Sequence, residues 1–387
     1  MSATGKALSF IPYGRQTIDD DDVRAVSEVL RSDFLTTGPK VAEFEQAVCA
    51  RAGVGYGVAV NSGTAALHCA MHALGIGPGD EVIVPPITFA ATANCVRYEG
   101  ATPVFADVDP ETLLLDPACV AAKITPRTKA VIAVDFAGQP CDWDALRALA
   151  DAHGLALVAD GCHALGAEYK GHPVGTLADM TCFSFHPVKH VATGEGGMTV
   201  TDSEELAQAM RTFRTHGITA DYKAREQGGT WAYDMVELGF NYRITDIQCA
   251  LGLSQLAKQG PWLARRREIA ARYTAAFAAM GGVRPLALRP EVDHAWHLYV
   301  IRVAAPVRRA VFEGLRARAI GVNVHYIPVH LHPYYRRELG TGEGLCPVAE
   351  AAYGEIISLP MFPALSDADV DRVVSAVGEA LAEAEGR

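Results

Sequence analysis

Two residues that follow apolar segments could do chemistry together. Lys189 follows the apolar residues 180–185 in a turn rich in proline and glycine, and Asp160 follows the apolar residues 155–159. In an α/β sheet both side chains would emerge at the carboxyl edge of the strands, where ligands bind. A lysine partly withdrawn from water has a lowered amine pKa and can attack an aldehyde. A buried aspartate can keep the ring nitrogen of pyridoxal phosphate protonated. The pair therefore indicates a pyridoxal phosphate enzyme, although a lysine considered alone is more often a surface residue.

A turn of small residues could hold the phosphate of such a cofactor. Asn61, Ser62, Gly63 and Thr64 end a short apolar run and precede a helical pattern. The free N–H groups and the dipole at such a helix N-terminus favour an anion. The turn alone fits an ordinary capped helix equally well, and the downstream lysine favours the phosphate site.

The pattern of the elements predicts a mostly parallel sheet. Apolar strands alternate with helical segments, which is typical of an α/β fold with right-handed crossovers. The strands are expected over residues 56–60, 81–85, 103–107, 130–136, 155–159, 180–185 and 198–201. Residues 219–238 are polar and contain glycine, so a loop that is mobile or faces a partner is expected there. The pattern changes after Pro261, where helices over 263–280, 307–319 and 364–385 and strands over 294–303 and 322–326 are expected. We therefore predict a large domain with an N-terminal arm (1–260) and a smaller C-terminal α/β domain (261–387).

The composition excludes several classes of protein. The formal net charge of −11 gives no support to nucleic-acid binding. Nine scattered cysteines without a Cys-x-x-Cys pair predict neither a disulfide framework nor a zinc site, and they suit a reducing compartment. The first eight residues lack an apolar signal core, and no apolar run is long enough to span a membrane. We therefore expect a cytoplasmic protein that binds neither nucleic acid nor membrane.

A metal site near three histidines is also disfavoured. His325, His330 and His332 lie close together in the sequence, but no carboxylate or cysteine stands at ligand spacing around them. The expectation is that the protein holds no metal.

Four motifs resemble the DegT/StrS family of sugar-nucleotide aminotransferases, and the likeness covers nearly the whole chain. The motifs lie at residues 160–166, 184–189, 194–197 and 241–248. The resemblance implies an aspartate aminotransferase-like (fold type I) pyridoxal phosphate-dependent transferase. Residues 11–14, 32–36, 136–139 and 162–166 are most similar to the PseC type, which aminates C4 of a UDP-linked 2-acetamido-4-keto-6-deoxy sugar in pseudaminic acid biosynthesis. One departure is Gly161, where the family usually has alanine or serine.

The resemblance also implies roles for individual residues. Lys189 would form the Schiff base with the cofactor and move a proton, and Asp160 would pair with the ring nitrogen. The other cofactor-binding residues would be Gly63, Thr64, Phe89, His163, Ser184 and Asn241, the last supplied across a dimer interface. From the residues alone, Phe89 and His163 also fit an ordinary packed aromatic and histidine. The nucleotide sugar would contact Tyr13, Asp33, Phe34, Leu35, Thr36, Asn241, Arg243, His325, Tyr326 and Pro328.

The expected activity is therefore transfer of the amino group of L-glutamate to a UDP-linked keto sugar by a homodimer with shared active sites. An aminotransferase acting on a dTDP- or GDP-linked sugar, at C3 or C4, is the alternative of the same chemistry. In the dehydratase branch of the family a histidine replaces the lysine, so Lys189 disfavours that branch even though His190 is adjacent. A regulatory or structural protein without turnover is disfavoured because Asp160, Lys189, Ser184 and Asn241 are all present.

Overall fold

A computed structural model describes residues 9–219 and 231–386 of the chain. Its strands are β1 (Tyr56–Val60), β2 (Glu81–Val84), β3 (Thr102–Phe105), β4 (Thr128–Val134), β5 (Ala156–Asp160), β6 (Glu168–Tyr169), β7 (His172–Pro173), β8 (Met180–Ser184), β9 (Gly197–Thr201), β10 (Arg284–Pro285), β11 (Val292–Asp293), β12 (Tyr299–Arg302) and β13 (Ile356–Leu359). Its α-helices are α1 (Asp20–Leu30), α2 (Pro39–Ala52), α3 (Gly63–Ala73), α4 (Ala91–Tyr98), α5 (Pro117–Ala121), α6 (Trp143–His153), α7 (Glu204–Arg214), α8 (Asp246–Ala257), α9 (Gln259–Ala278), α10 (Ala305–Ala317), α11 (Pro333–Leu339), α12 (Pro347–Glu355) and α13 (Asp367–Glu385).

The large sheet has seven strands in the order β1-β9-β8-β5-β4-β2-β3. Every neighbouring pair is parallel except the two pairs made by β9. The strands are apolar and almost wholly buried because helices cover both faces of the sheet. Each strand predicted between residues 56 and 201 is present, with its ends within two residues of those expected.

The register of the central strands brings their carboxyl ends together. Asp160, the last residue of β5, pairs with Val134 at the end of β4 and with Cys182 in β8. Ser184 ends β8 two residues further on. The carboxyl ends of parallel strands therefore meet at one edge of the sheet, and the turn that carries Lys189 follows directly.

Side-chain caps set the start of the helices that flank this edge. Ser62 caps α3 by accepting a hydrogen bond from the backbone N–H of Ala65, at 3.1 Å. Thr245 and Gln248 form a capping box at the start of α8. Such caps satisfy N–H groups that the helix itself leaves without an acceptor, so the sequence specifies where these helices begin.

A second hydrophobic core lies in the C-terminal part of the chain. It contains Ile11 from the N-terminal arm together with residues between Ile269 and Leu381. Strands β10, β12 and β13 form a small antiparallel sheet there. The arm reaches this core because the carbonyl of Tyr13 accepts a hydrogen bond from the N–H of Met361, at 2.9 Å. The boundary at residue 261 stays a prediction, and α9 begins two residues before it.

The strand expected over residues 322–326 is wrong. Strand β12 pairs with β13 along its whole length, so residues 322–326 meet the sheet only at its outer edge. There Asn323 makes one isolated bridge to Ser358. Helices α11 and α12 and strand β13 were not predicted. Most of the expected loop over 219–238 (residues 220–230) lies outside the described residues.

Within residues 9–219 and 231–386, no helix is long and apolar enough to cross a membrane.

Candidate active site

A cavity of about 760 Å³ opens where the carboxyl edge of the large sheet meets the N-terminus of α3. The predicted site residues that line it are Tyr13, Gly63, Thr64, Phe89, Asp160, His163, Ser184, Lys189, His325 and Tyr326. The structure thus brings together residues from the N-terminal arm, the large sheet and the C-terminal part of the chain.

The carboxylate of Asp160 is held by two donors. The Thr92 hydroxyl donates to Asp160 Oδ2 at 2.7 Å, and the backbone N–H of Cys162 donates to Oδ1 at 3.2 Å. The side chain is only 5% exposed. No pattern in the sequence links Thr92 to Asp160, and the helix α4 that carries Thr92 meets Asp160 only in the folded chain. The result is a fixed acceptor at the end of β5.

Lys189 lies in the turn after β8, where its N–H donates to the carbonyl of His186 at 2.8 Å. Its side chain lines the cavity. Burial lowers the pKa of the Lys189 amine because the charged form loses hydration. Asp160 and Cys162 act in the opposite direction with smaller effect. A larger fraction of the amine is therefore neutral, and nucleophilic, than at a surface lysine.

His163 is a buried neutral imidazole beside the cavity. Burial, and next the charge of Lys189, hold its pKa well below the ordinary histidine value. Its Nε2 atom lies 3.1 Å from the Tyr326 hydroxyl, and its Nδ1 atom has no hydrogen-bond partner among the described residues. This contact therefore links His163, which is predicted to bind the cofactor, to Tyr326, which is predicted to bind the nucleotide sugar.

A second buried histidine, His297, also lines the cavity and was not predicted from the sequence. Its ring centroid lies 4.3 Å from that of His163. Its pKa is held well below the ordinary value by burial and then by Lys189. The only signal in the sequence was a histidine beside an apolar strand, which is more often a packed residue.

The N-terminus of α3 forms a close-packed cradle with β8 and β9. Among the described residues, the N–H groups of Gly63 and Thr64 have no acceptor. A Cβ atom on Gly63 would lie 2.9 Å from the Cβ of Ser184, and a Cβ on Gly197 would lie 2.3 Å from the carbonyl oxygen of Ser62. Glycine therefore permits the backbone to approach closely here, and the free N–H groups and helix dipole suit an anion.

The remaining predicted residues do not line this cavity: Asp33, Phe34, Leu35, Thr36, Asn241, Arg243 and Pro328. Pro328 is buried. The N–H of the next residue, Val329, donates a hydrogen bond to the carbonyl of Pro86.

The other six of these residues lie near one another. Thr36 bridges Thr245, and the carbonyl of Leu35 accepts a hydrogen bond from Asp246 at the start of α8. Arg243 bridges Val60, close to the turn that precedes α3. The 33–36 loop and the 241–243 segment therefore both lie beside the start of α8.

Comparison with known proteins shows what the whole chain is similar to. The profile of the DegT/DnrJ/EryC1/StrS aminotransferase family matches residues 16–378. The spore coat polysaccharide biosynthesis protein SpsC of Bacillus subtilis (strain 168) is 45% identical over 378 residues, which cover 96% of this chain and 97% of SpsC.

Solved structures agree with this match. Spr1654 of Streptococcus pneumoniae, assigned as a sugar aminotransferase and solved in its PMP form, is 35% identical with a TM-score of 0.92, over 97% of this chain and 100% of Spr1654. PseC of Helicobacter pylori, an aminotransferase in the biosynthesis of pseudoaminic acid, is 32% identical with a TM-score of 0.91, over 97% of this chain and 100% of PseC. The likeness to PseC is thus one among several, and the predicted fold class is confirmed. The chain belongs to the DegT/DnrJ/EryC1/StrS aminotransferase family.

Proposed function

We propose that this chain uses pyridoxal 5′-phosphate to transfer the amino group of L-glutamate to C4 of a UDP-linked 2-acetamido-4-keto-6-deoxy sugar, as a step of pseudaminic acid biosynthesis. The observation that carries the chemistry is that Lys189 and Asp160 line one cavity with an anion-binding helix N-terminus. The likeness to PseC supports the acceptor.

The residues of the cavity fit this cofactor. An aldehyde needs an amine of lowered pKa, which is Lys189. A protonated ring nitrogen needs a fixed carboxylate, which is Asp160. A phosphate needs N–H and hydroxyl donors, which the start of α3 and Ser184 provide. Phe89 is 62% exposed at the cavity and offers a flat apolar face to a ring.

When bound, pyridoxal phosphate supplies an electron sink that lets a proton leave the carbon next to the donor nitrogen. Lys189 is the base in this proposal, because burial lowers the pKa of its amine and leaves more of it neutral and able to accept a proton. Asp160 is held in place as an acceptor, since the Thr92 hydroxyl and the Cys162 N–H each donate to one of its carboxylate oxygens. His163 stays neutral and adds no positive charge beside Lys189.

The acceptor sugar is proposed to enter between the N-terminal arm and the C-terminal part of the chain. The Tyr13 ring lies 5.4 Å from that of His325, centroid to centroid. Burial lowers the pKa of His325 to about 4, and its Nδ1 lies 2.8 Å from the Ser358 hydroxyl. A neutral, fixed imidazole and a phenol can hydrogen-bond a sugar. The cleft also lies between two parts of the chain, as small-molecule sites often do.

The six residues near the start of α8 are proposed to complete the cavity of a second subunit in a homodimer. The segment before Asn241 exposes large apolar side chains, including Trp231 at 89% and Leu238 at 81%. Phe34 and Leu35 also have exposed side chains. Exposed apolar patches of this kind mark protein–protein contacts, which supports a dimer that buries them.

The acceptor is tested with a panel of UDP-, dTDP- and GDP-linked 4-keto sugars, L-glutamate and pyridoxal phosphate, with mass spectrometry to detect conversion of the ketone to an amine. We expect the UDP-linked 2-acetamido sugar to be aminated fastest, and Lys189→Ala to give no product. Faster turnover with a dTDP- or GDP-linked sugar would refute the acceptor. Absence of an amine product with every sugar would refute transfer to C4 of a nucleotide-linked keto sugar.

A further inference from the structure

A cluster of two histidines and two carboxylates lies at the end of α3 farther from the cavity. His68 and His72 are one turn apart on α3. Glu99 Oε1 lies 3.1 Å from His68 Nε2 and 3.4 Å from His72 Nδ1. On its other side, His72 Nε2 lies 3.1 Å from Glu237 Oε2. The chain of contacts therefore runs from α3 and the end of α4 to the segment that precedes Asn241.

The same cluster holds both sequence neighbours of Asn241. His68 Nδ1 lies 2.9 Å from the Tyr242 hydroxyl. The Phe240 ring lies 5.2 Å from that of His68 and stacks on the Tyr242 ring at 5.0 Å. Asn241 itself carries no side-chain hydrogen bond among the described residues. Its backbone bridges Thr215, and its carbonyl accepts a hydrogen bond from Asn61 Nδ2 at 3.4 Å. Its position therefore depends on these backbone contacts and on the two aromatic residues beside it.

Helix α7 supports the segment from the opposite side. The N–H of Phe240 donates to the carbonyl of Phe213 at 2.8 Å, and the N–H of Tyr242 donates to the carbonyl of Arg214 at 3.0 Å. The His72 ring stacks on Phe213, with the centroids 3.7 Å apart. The segment is thus fixed by backbone bonds to α7 and by charged contacts to α3.

The charges in the cluster are complementary. The contact with Glu99 raises the pKa of His72, burial lowers it, and Glu237 adds to the rise, so the net pKa is above the ordinary value. Burial alone would raise the pKa of Glu99, but His68 and His72 together lower it to about 2. Among the described residues, Glu99 and Glu237 are the charged groups in contact with His72. Glu99 also contacts His68, which in turn contacts Tyr98 and Tyr242. Arg214 at the end of α7 is paired with Glu45.

We propose that His68, His72, Glu99 and Glu237 are positioning residues that fix the segment carrying Asn241 and Arg243 in the conformation that a second subunit requires. Helix α3 then serves both sites, because its N-terminus binds the phosphate of its own cofactor and its C-terminal half orients the residues given to the partner. The expected effect on cofactor binding depends on the shared active sites of the proposed function. The expected effect on the conformation of the segment does not depend on them.

Hydrogen exchange followed by mass spectrometry tests the positioning directly, in the full chain with pyridoxal phosphate bound. A charge-assisted contact of this kind is strong enough that its loss should raise the exchange rate of residues 237–243 by about tenfold. We expect this rise in His72→Gln, Glu99→Gln and Glu237→Gln. Glu237 is partly exposed, so its variant retains the core even where Glu99→Gln fails to fold. The matched controls are His153→Gln and Glu313→Gln, which change exposed residues elsewhere.

The pH dependence separates a charged contact from simple packing. His72 has a raised pKa, so its contribution is complete at low pH and is lost as the pH rises through that pKa. The protection of residues 237–243, corrected for intrinsic exchange, should fall over this range in the wild-type chain. In His72→Gln it should be low and independent of pH. Unchanged exchange in all three variants, or equal loosening of the whole large sheet, would overturn the proposal.

Titration of the protein with pyridoxal phosphate, followed by absorbance, tests the effect on cofactor binding. We expect Glu237→Gln to weaken cofactor binding several-fold while kcat at saturating cofactor stays near the wild-type value. Asn241→Asp is measured alongside. If Asn241→Asp binds the cofactor normally, the shared site is refuted, while the exchange data still decide whether the cluster positions the segment.

Discussion

Lys189 and Asp160 line the same cavity, but their surroundings differ. Burial dominates at Lys189 and disfavours its charged form. At Asp160, the Thr92 hydroxyl and the Cys162 N–H donate hydrogen bonds to the two carboxylate oxygens. The two residues therefore have separate expected roles, Lys189 as the base and Asp160 as a fixed acceptor.

Replacement of Lys189 by alanine should abolish the visible absorption band of the bound cofactor and all transamination, while the fold survives. The reason is that Lys189 is the only lysine among residues 9–219 and 231–386 that lines the cavity. Absorbance and a coupled glutamate assay measure the two effects, and circular dichroism checks the fold. Lys129→Ala removes an exposed lysine of β4 and should match the wild type. Normal turnover by Lys189→Ala would contradict the assignment.

Replacement of Asp160 by asparagine should leave cofactor binding nearly intact but slow the half-reaction with glutamate by at least about 100-fold, because an electrostatic partner of this kind is worth several kcal/mol. Thr92→Val removes one donor to the carboxylate and should slow the same step by about tenfold. Stopped-flow absorbance measures both rates. Asp160→Asn with near-normal kinetics would exclude its proposed role.

At the scale of elements, helix α3 contributes to two separate parts of the molecule. Its first residues form the cradle with Ser184, and its last turns meet the segment before Asn241. The packing at the N-terminus of α3 is so close that only glycine fits at position 63 without a shift of its neighbours. Near the other end of the helix, His68 and His72 have room to form ion pairs.

Replacement of Gly63 by alanine should weaken cofactor binding by roughly tenfold, because the new Cβ must displace Ser184 at a cost of about 1–3 kcal/mol. Equilibrium dialysis with pyridoxal phosphate measures the affinity. Gly77→Ala is the matched control, since a Cβ there meets nothing within 4 Å. Equal affinity of the two variants would show that the cradle does not bind the phosphate.

At the scale of the whole molecule, the cavity contains Lys189 but not Asn241 from the same chain. The exposed apolar side chains before Asn241 give the surface that a second copy would cover. An active site completed by a neighbour makes activity depend on the subunit composition.

Mixing Lys189→Ala subunits with Asn241→Asp subunits should therefore restore part of the activity. After random exchange, half of the dimers are mixed and each has one intact site, so about a quarter of the wild-type activity is expected. Either variant alone should be inactive. Native mass spectrometry verifies the exchange. Absence of activity in a verified mixture would argue against shared sites.

The sequence by itself determined the alternation of strands and helices, the edge at which Asp160 and Lys189 meet and the start of α3. These features depend on local patterns, since apolar periodicity, turn residues and caps act between neighbours in the chain. The family resemblance added residues such as Tyr13 and His325, which no local pattern would bring together.

Only the tertiary structure decided which distant groups touch. The hydroxyl of Thr92 meets Asp160, and His297 lies against His163, because helix and loop packing places them there. Residues 322–326 looked like a strand, but β13 takes the place beside β12. Asn241 lies outside the cavity of its own chain because the packing of whole elements places it there. Contacts between distant residues depend on how whole elements pack, and the local pattern of the sequence does not carry that information.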